Sequence, residues 1–66
     1  MKNTVRIERA VMDITQQQLA DAVGVSRNTI ISIESGRYIP STVLTLKIAR
    51  HFGKSVESIF QLDEND

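Results

Sequence analysis

The stretch from Thr15 to Gly36 constrains this chain most, because it predicts two short helices that meet at a tight turn. Thr15 and Gln18 have the spacing of a capping box, and Ser26 supplies a start signal for the second helix. Gly24 lies just past the last apolar residue of the first helix, where a left-handed backbone favours glycine, and Gly36 is expected to end the second helix. Two capped helices joined by a short turn that contains glycine predict a helix-turn-helix.

The second of these helices has an exposed face that is suited to nucleic acid. Ile30 and Ile33 point to the same side and are expected to be buried. The opposite side and the first turn carry short polar groups and one arginine: Arg27, Asn28, Ser32 and Ser35. Arginine and asparagine match the edges of guanine and adenine in the major groove of DNA. A merely solvated face is the alternative, although such a face typically carries glutamate and lysine.

At these residues the chain resembles the lambda-repressor and Cro type of helix-turn-helix protein, the XRE family. The resemblance extends from Asn3 to Leu62, which is nearly the whole chain. It implies an all-α fold of five helices, in which the second helix of the motif reads the DNA. The matching positions are Gln16, Leu19–Ala20, Val23–Ser26, Thr29–Ile30, Ile33–Glu34, Gly36 and Pro40–Ser41, then Leu46–Ala49, Phe52–Gly53, Val56 and Ile59–Phe60.

The resemblance implies that several residues contact the DNA backbone. Gln16 matches a glutamine that anchors the backbone in this family. Gln17 beside it opens the same helix, where free N–H groups and the helix dipole favour an anion. Ser26, Ser35 and Arg37 stand at the ends of the second helix, where phosphate contacts usually fix register. Each of these three could equally be a helix cap or a solvated side chain.

Four residues match the variable positions that contact bases in this family: Arg27, Asn28, Ile31 and Ser32. Arginine donates two hydrogen bonds to guanine, and asparagine pairs with adenine. Ile31 is an apolar, β-branched residue at the border of the polar face. It is explained either by contact with a thymine methyl group or by packing against the neighbouring helix.

The first helix is expected from Thr4 to Met12 and agrees least with the family. Its apolar residues include Val5, Ile7 and Val11. Family members usually have an apolar residue at the position of Glu8 and a polar one at the position of Ile7. Either this helix is rotated slightly, or Ile7 covers part of the neighbouring surface.

The resemblance also implies an ion pair between Arg9 and Glu34, which ties the first helix to the end of the recognition helix. Because a buried charge needs a partner, both residues are interpreted as structural. Asp13 takes the place of a common helix-ending glycine, and aspartate accepts the left-handed conformation at modest cost.

The chain beyond the helix-turn-helix predicts two further helices. Pro40 favours an extended residue before it, so no helix runs through this point. Ser41 is expected to cap a fourth helix that Gly53 stops, and Ser55 to cap a short fifth helix.

The end of the chain is expected to form a short strand and then a solvated tail. Gln61 and Leu62 are expected to pair with residues 2–5, and the acidic tail 63–66 is interpreted as a frayed terminus. Four apolar residues of this last part are candidates for a dimer interface, unless they simply close the monomer core: Val56, Ile59, Phe60 and Leu62.

The composition of the chain limits the classes of function that are expected. The 66 residues are expected to form a single small domain, 1–66, of a size that a dimer interface helps to stabilise. The chain has no cysteine, and His51 is its one histidine, so no metal site is indicated. No nucleophile–base pair, glycine-rich phosphate loop or paired-acid motif is present, so neither enzyme activity nor a cofactor is expected. Without a membrane-length apolar run or a signal peptide, the expected location is cytoplasmic.

The net charge is zero, but the charges are unevenly distributed. From Arg27 to Lys54 five basic residues stand against one acidic residue, Glu34. The tail then adds three acidic residues. Such segregation is expected to present a positive face to phosphate while the whole chain stays neutral.

These features predict a transcriptional regulator that binds double-stranded DNA in a sequence-specific way. A headpiece of this size makes few phosphate contacts, so we expect a homodimer, acting as a repressor, on a palindrome with half-sites about one helical turn apart. No membrane partner and no small-molecule ligand are indicated. The alternative is a protein-interaction module of the antitoxin or adaptor kind that also binds DNA, and a neighbouring toxin gene would favour it.

Overall fold

The computed structural model describes residues 1–66, most of which lie in five helices. In chain order the helices are α1 (Val5–Met12), α2 (Gln16–Val23), α3 (Arg27–Glu34), α4 (Thr42–Phe52) and α5 (Val56–Ile59). Two short strands, β1 (Lys2–Asn3) and β2 (Phe60–Gln61), form an antiparallel pair. The predicted five-helix fold with a terminal strand pair is confirmed. None of the helices combines the length and the apolar composition that crossing a bilayer requires.

Helices α2 to α5 begin at the hydroxyl residues that the sequence indicated. In each case the side-chain oxygen accepts a hydrogen bond from the backbone N–H three residues further on. The four capping residues are Thr15, Ser26, Ser41 and Ser55. Gln18 completes the capping box by accepting from the N–H of Thr15 at 2.8 Å. These caps satisfy N–H groups that have no partner inside a helix, which fixes where each helix starts.

The turns after α1 and α2 need a left-handed residue. Gly24 has φ 78°, and a Cβ added there would meet no atom within 4 Å, so backbone conformation rather than space favours glycine. Asp13 has φ 56° and is the one residue other than glycine with positive φ. The prediction that Asp13 ends α1 in a position where glycine is common is confirmed.

A single apolar core joins the five helices and the second strand. α2 packs against both α3 and α4, and α1 packs against α3. The eleven core residues are Val5, Leu19, Ala20, Val23, Ile30, Ile33, Leu44, Ile48, Ala49, Ile59 and Phe60. Because Ile30 and Ile33 are fully buried, the opposite face of α3 is left at the surface.

Helix α1 departs from the expected pattern without rotating. Glu8 occupies the buried position and is only 8% exposed, whereas Ile7 is 61% exposed. The Glu8 carboxylate accepts a hydrogen bond from Lys54 Nζ at 3.0 Å, and this partner makes the buried charge tolerable. Of the apolar residues of this helix, Val5 is fully buried in the core, whereas Ile7 and Val11 lie at the surface.

The end of the chain differs from its prediction by one residue. Phe60 has extended dihedrals and already pairs with Asn3, while Gln61 pairs with Lys2. The strand is therefore Phe60–Gln61 instead of Gln61–Leu62, and Leu62 lies beyond it. The shift buries Phe60 in the core through strand pairing rather than through α5.

The acidic tail folds back on the start of the chain. The Met1 ammonium lies 3.3 Å from a carboxylate oxygen of Asp63 and 3.1 Å from one of Asp66. The hydrogen bond to Asp66 raises the pKa of the ammonium group. The hydrogen bond that Asp66 accepts from the backbone N–H of Asp63 lowers the pKa of the Asp66 carboxyl. Residues 64–66 are exposed, as predicted, but the prediction that the tail is frayed is wrong, since it bonds to Met1.

Candidate nucleic-acid interface

One carboxylate connects the three N-terminal helices. Arg9 on α1 donates from Nε to Glu34 Oε2 at 2.7 Å and from a terminal nitrogen to Oε1 at 3.2 Å. A second terminal nitrogen donates to the carbonyl of Ile14 at 3.0 Å. Gln16 on α2 donates from Nε2 to the same Glu34 Oε1 at 3.1 Å. The predicted Arg9–Glu34 pair is confirmed, and its bidentate geometry raises the pKa of Arg9.

The pair also fixes the position of Gln16. The side-chain amide of Gln16 has two N–H donors. Glu34 accepts a hydrogen bond from one of them, which leaves the other for a further acceptor. The backbone N–H groups of Gln16 and Gln17 bond to nothing in the protein, because they belong to the first turn of α2. The Gln17 side chain donates to Asp21 at 2.9 Å. The start of α2 thus keeps free hydrogen-bond donors to which an anion can bind.

A cleft of about 850 Å³ separates α1 from the helix-turn-helix, and we call it the α1 cleft. It brings together five of the nine residues predicted to contact DNA: Gln16, Gln17, Arg27, Ile31 and Ser35. Arg6, Arg9, Asp13, Ile14, Thr15 and Glu34 complete its lining. Residues from three consecutive helices therefore share one surface depression.

The other side of α3 borders a second cleft of about 510 Å³, which we call the α4 cleft. It contains two further predicted contacts, Asn28 and Ser32. The rest of its lining is Val25, Thr29, Tyr38, Ser41 and Leu44. The exposed face of α3 is therefore a ridge with a depression on each side, and Arg27 and Asn28 lie on opposite sides of it.

The predicted contacts at the ends of α3 are less closely grouped. Ser26 caps the helix, and its Oγ lies 3.0 Å from Thr29 Oγ1. Ser35 Oγ donates to the carbonyl of Ser32 at 3.0 Å. Arg37 is exposed in the turn that follows and lines neither cleft. All three are accessible, but two of them already have local hydrogen-bonding roles.

Three residues of the two clefts were missed by sequence reasoning: Arg6, Tyr38 and Ser41. A signal for Arg6 was present, because it precedes Arg9 by three residues and residues with that spacing share a helix face. Tyr38 has no such signal, since its position depends on how the irregular segment after α3 folds back.

The basic residues do not form the single positive face that the charge count indicated. Lys47 and Arg50 line a different cleft together with His51, next to Gly24 at the far end of α2. An eight-residue helix is about 12 Å long, so these charges lie well away from the start of α2. Lys54 is paired with Glu8. The expected positive face is therefore not formed by these basic residues together, because Arg27 borders the α1 cleft whereas Lys47 and Arg50 border the cleft at the end of α2.

Comparison with known proteins places this geometry in a family. A family model described as helix-turn-helix matches residues 5–59. An uncharacterized HTH-type transcriptional regulator of Methanocaldococcus jannaschii is 47% identical over 66 residues, 100% of both chains. The regulator YgzD of Bacillus subtilis, also uncharacterized, is 42% identical over 66 residues, again 100% of both.

A solved structure has the same fold. The crystal structure of the clp gene regulator ClgR from Corynebacterium glutamicum superposes with a TM-score of 0.74 and 33% sequence identity. The match covers 79% of this chain and 55% of the ClgR chain. The present chain therefore corresponds to about half of that regulator.

Proposed function

Since this chain belongs to the XRE-type helix-turn-helix family of DNA-binding transcription regulators, we propose that it represses transcription as a homodimer on a palindromic operator. In this proposal the chain is a single DNA-binding domain, 1–66, that acts in the cytoplasm without enzyme activity or a cofactor. The observation that carries the proposal is the α3 ridge, which is exposed, bears Arg27 and Asn28, and lies between two clefts.

The ridge suits the major groove in size and chemistry. The groove of B-DNA is about 12 Å wide and admits one helix. With α3 in the groove, Arg27 and Asn28 project about 100° apart toward base edges, and Ile31 and Ser32 lie one turn further on. The clefts then lie where the two sugar-phosphate backbones border the groove. Gln16, Gln17 and the serines at the ends of α3 are placed to bond to phosphates.

The size of the protein supports the homodimer. The molecule measures 31 × 22 × 20 Å. Half-sites of a palindrome that lie on one face of DNA are about 34–36 Å apart. One copy therefore covers one half-site, and two copies side by side span both. Two adjacent copies also exclude other proteins from that stretch of DNA, which is the simplest route to repression.

The dimer surface that we propose is an apolar groove between α4, α5 and the end of the chain. It has a volume of about 360 Å³ and is lined by Met1, Ile39, Pro40, Thr42, Thr45, Leu46, Val56, Phe60 and Leu62. Leu46 and Leu62 are 55% and 78% exposed. Of the interface candidates in the sequence, Ile59 is fully buried outside the groove and belongs to the monomer core, whereas Phe60, 6% exposed, belongs to the core and also lines the groove.

Substitution of Leu46 by glutamate is expected to separate the dimer into monomers, because the charge would be buried in an apolar contact. Light scattering at high micromolar concentration is expected to give a dimer for the unmodified protein and a monomer for Leu46→Glu. Ile7→Glu is the matched control, since Ile7 is equally exposed but lies on α1 outside the groove. An unmodified protein that is monomeric with and without DNA would exclude the homodimer. If it associates only with a second protein, the interaction-module alternative is correct.

Selection of binding sites from random double-stranded DNA by the purified protein tests the function itself. We expect enrichment of inverted half-sites whose centres are about 10–10.5 base pairs apart, the spacing of one helical turn. A promoter that overlaps the selected site is expected to lose activity when the protein is expressed. Enrichment of no sequence would refute specific DNA binding, and increased promoter activity would refute repression.

A further inference from the structure

We infer that Arg6 of α1, which lies outside the helix-turn-helix, contacts a DNA phosphate across the α1 cleft. The inference rests on the proposed function and adds to it a residue and a contact on one side of the recognition helix. It places α1 among the elements that bind DNA, in addition to its packing against α3.

The first observation is the location of Arg6. It is exposed, and it lines the same cleft as Gln16, Gln17 and Arg27. Arg6 and Arg9 are three residues apart on α1, so both side chains lie on the side of the helix that borders the cleft. Arg6 thus lines the same depression as residues proposed to contact the DNA backbone.

The second observation is the charge balance of the cleft. Of its three arginines, Arg9 is bound to Glu34, with side chains 16% and 7% exposed. Arg6 and Arg27 make no ion pair and no hydrogen bond within the protein. Asp13 is the remaining acid of the lining. Because two free arginines face one carboxylate, the cleft retains positive charge.

The third observation is the polarity of the lining. Only two of its eleven residues are hydrophobic, namely Ile14 and Ile31. The guanidinium group of Arg6 and the backbone N–H groups of Gln16 and Gln17 are donors without an acceptor within the protein. A phosphodiester oxygen is an anionic acceptor that such donors recognise, and arginine binds it in bidentate geometry. An apolar or cationic ligand would leave these donors unsatisfied.

Two substitutions that remove the same charge at different places test the inference. Arg6→Gln and Arg50→Gln each neutralise one exposed helical arginine, but Arg50 lines the cleft at the far end of α2. Affinity for the selected operator is measured by fluorescence anisotropy at several salt concentrations. Arg6→Gln is expected to weaken binding about tenfold for each bound copy at low salt. It should also reduce the slope of log affinity against log salt by about 0.9 for each lost phosphate contact, and so by about 1.8 for the homodimer on its operator.

The slope corresponds to a measurable difference. A fourfold increase in salt reduces the affinity by about 3.5-fold for each phosphate contact, so the affinity of the Arg6→Gln homodimer, which lacks two contacts, should fall about twelvefold less than that of the unmodified protein. Arg50→Gln is expected to keep the original slope. Arg6→Lys keeps the charge and is expected to restore the slope while recovering only part of the affinity. Base preference, measured with single-base operator variants, should be unchanged in all three proteins.

Equal salt slopes for Arg6→Gln and Arg50→Gln would overturn the inference, as would a change of preference at one base pair caused by Arg6→Gln. The proposed function has its own test in the same experiment. If the unmodified protein binds one sequence selectively and Asn28→Ala changes that preference, the function stands whatever Arg6 does. If the unmodified protein shows no selective binding, the function fails as well.

Discussion

Glu34→Ala is expected to lower the free energy of unfolding by up to about 3–5 kcal/mol, the cost of leaving a fully buried charge without its partner, because the Arg9 side chain is 16% exposed. The Glu34 side chain is 7% exposed and accepts hydrogen bonds from both Arg9 and Gln16. Its removal leaves the Arg9 guanidinium bound only to the carbonyl of Ile14. One substitution therefore loosens the contacts of α1, α2 and α3 together.

A double-mutant cycle with Arg9→Ala measures the coupling of the two residues by urea denaturation. Protein concentration is held constant, because association also changes apparent stability. Asp21→Ala is the matched control, since Asp21 also accepts a glutamine hydrogen bond but is exposed, and its loss should cost no more than about 0.5 kcal/mol. A coupling energy near zero would show that the pair does not stabilise the fold.

Replacing the Arg9–Glu34 pair by apolar residues separates its contribution to stability from its role in positioning Gln16. Arg9→Met combined with Glu34→Leu is expected to recover most of the lost stability, because well-packed apolar side chains often replace a buried ion pair without loss. The same protein should still bind DNA more weakly for all sequences, since Gln16 no longer has the carboxylate that holds its amide in place. Full DNA affinity in this variant would show that the pair does not position Gln16.

The helix boundaries could be predicted because their signals are local. A capping residue and the N–H group that it binds lie three residues apart, as at Thr15, Ser26, Ser41 and Ser55. The left-handed residues, Gly24 and Asp13, are likewise decided by their own backbone. Because such interactions depend little on the rest of the fold, they can be predicted from neighbouring residues in the sequence.

The errors concern residues whose partners are distant in the sequence. Glu8 is buried because Lys54, 46 residues away, reaches it. Phe60 leaves the helical pattern because it pairs with Asn3, and the tail is held by the Met1 ammonium. No local pattern identifies these partners, since each is brought into place only when the two ends of the chain meet.

The candidate site was predictable as a set of residues but not as a surface. Both the helical pattern of α3 and the family resemblance placed Arg27 and Asn28 at its exposed positions. That these two residues border different clefts depends on where α1 and α4 pack around α3. The charge count failed for the same reason, because Lys47 and Arg50 lie on the part of α4 that faces the end of α2.

Arg27→Ala and Asn28→Ala are expected to reduce preference at particular base pairs, each by about 1–3 kcal/mol for a good bidentate contact. Because the two side chains project about 100° apart on α3 and border different clefts, the affected base pairs should differ. Gln16→Ala should instead weaken binding by a similar factor for every sequence, since a backbone contact carries no base information. Binding to a set of single-base operator variants measures both effects, and Arg50→Gln is the control for a change outside the interface.

Ile31→Ser decides between the two explanations of the one apolar residue on this face. Ile31 is 37% exposed and lines the α1 cleft, outside the core. A surface substitution of this kind should change stability by no more than about 0.5 kcal/mol, so the melting temperature is expected to stay nearly constant. Loss of a methyl contact should remove a preference for thymine over uracil or cytosine at one operator position. A lower melting temperature with unchanged preference would make Ile31 a packing residue. If Arg27→Ala and Asn28→Ala also left every base preference intact, α3 would not be the helix that reads the operator.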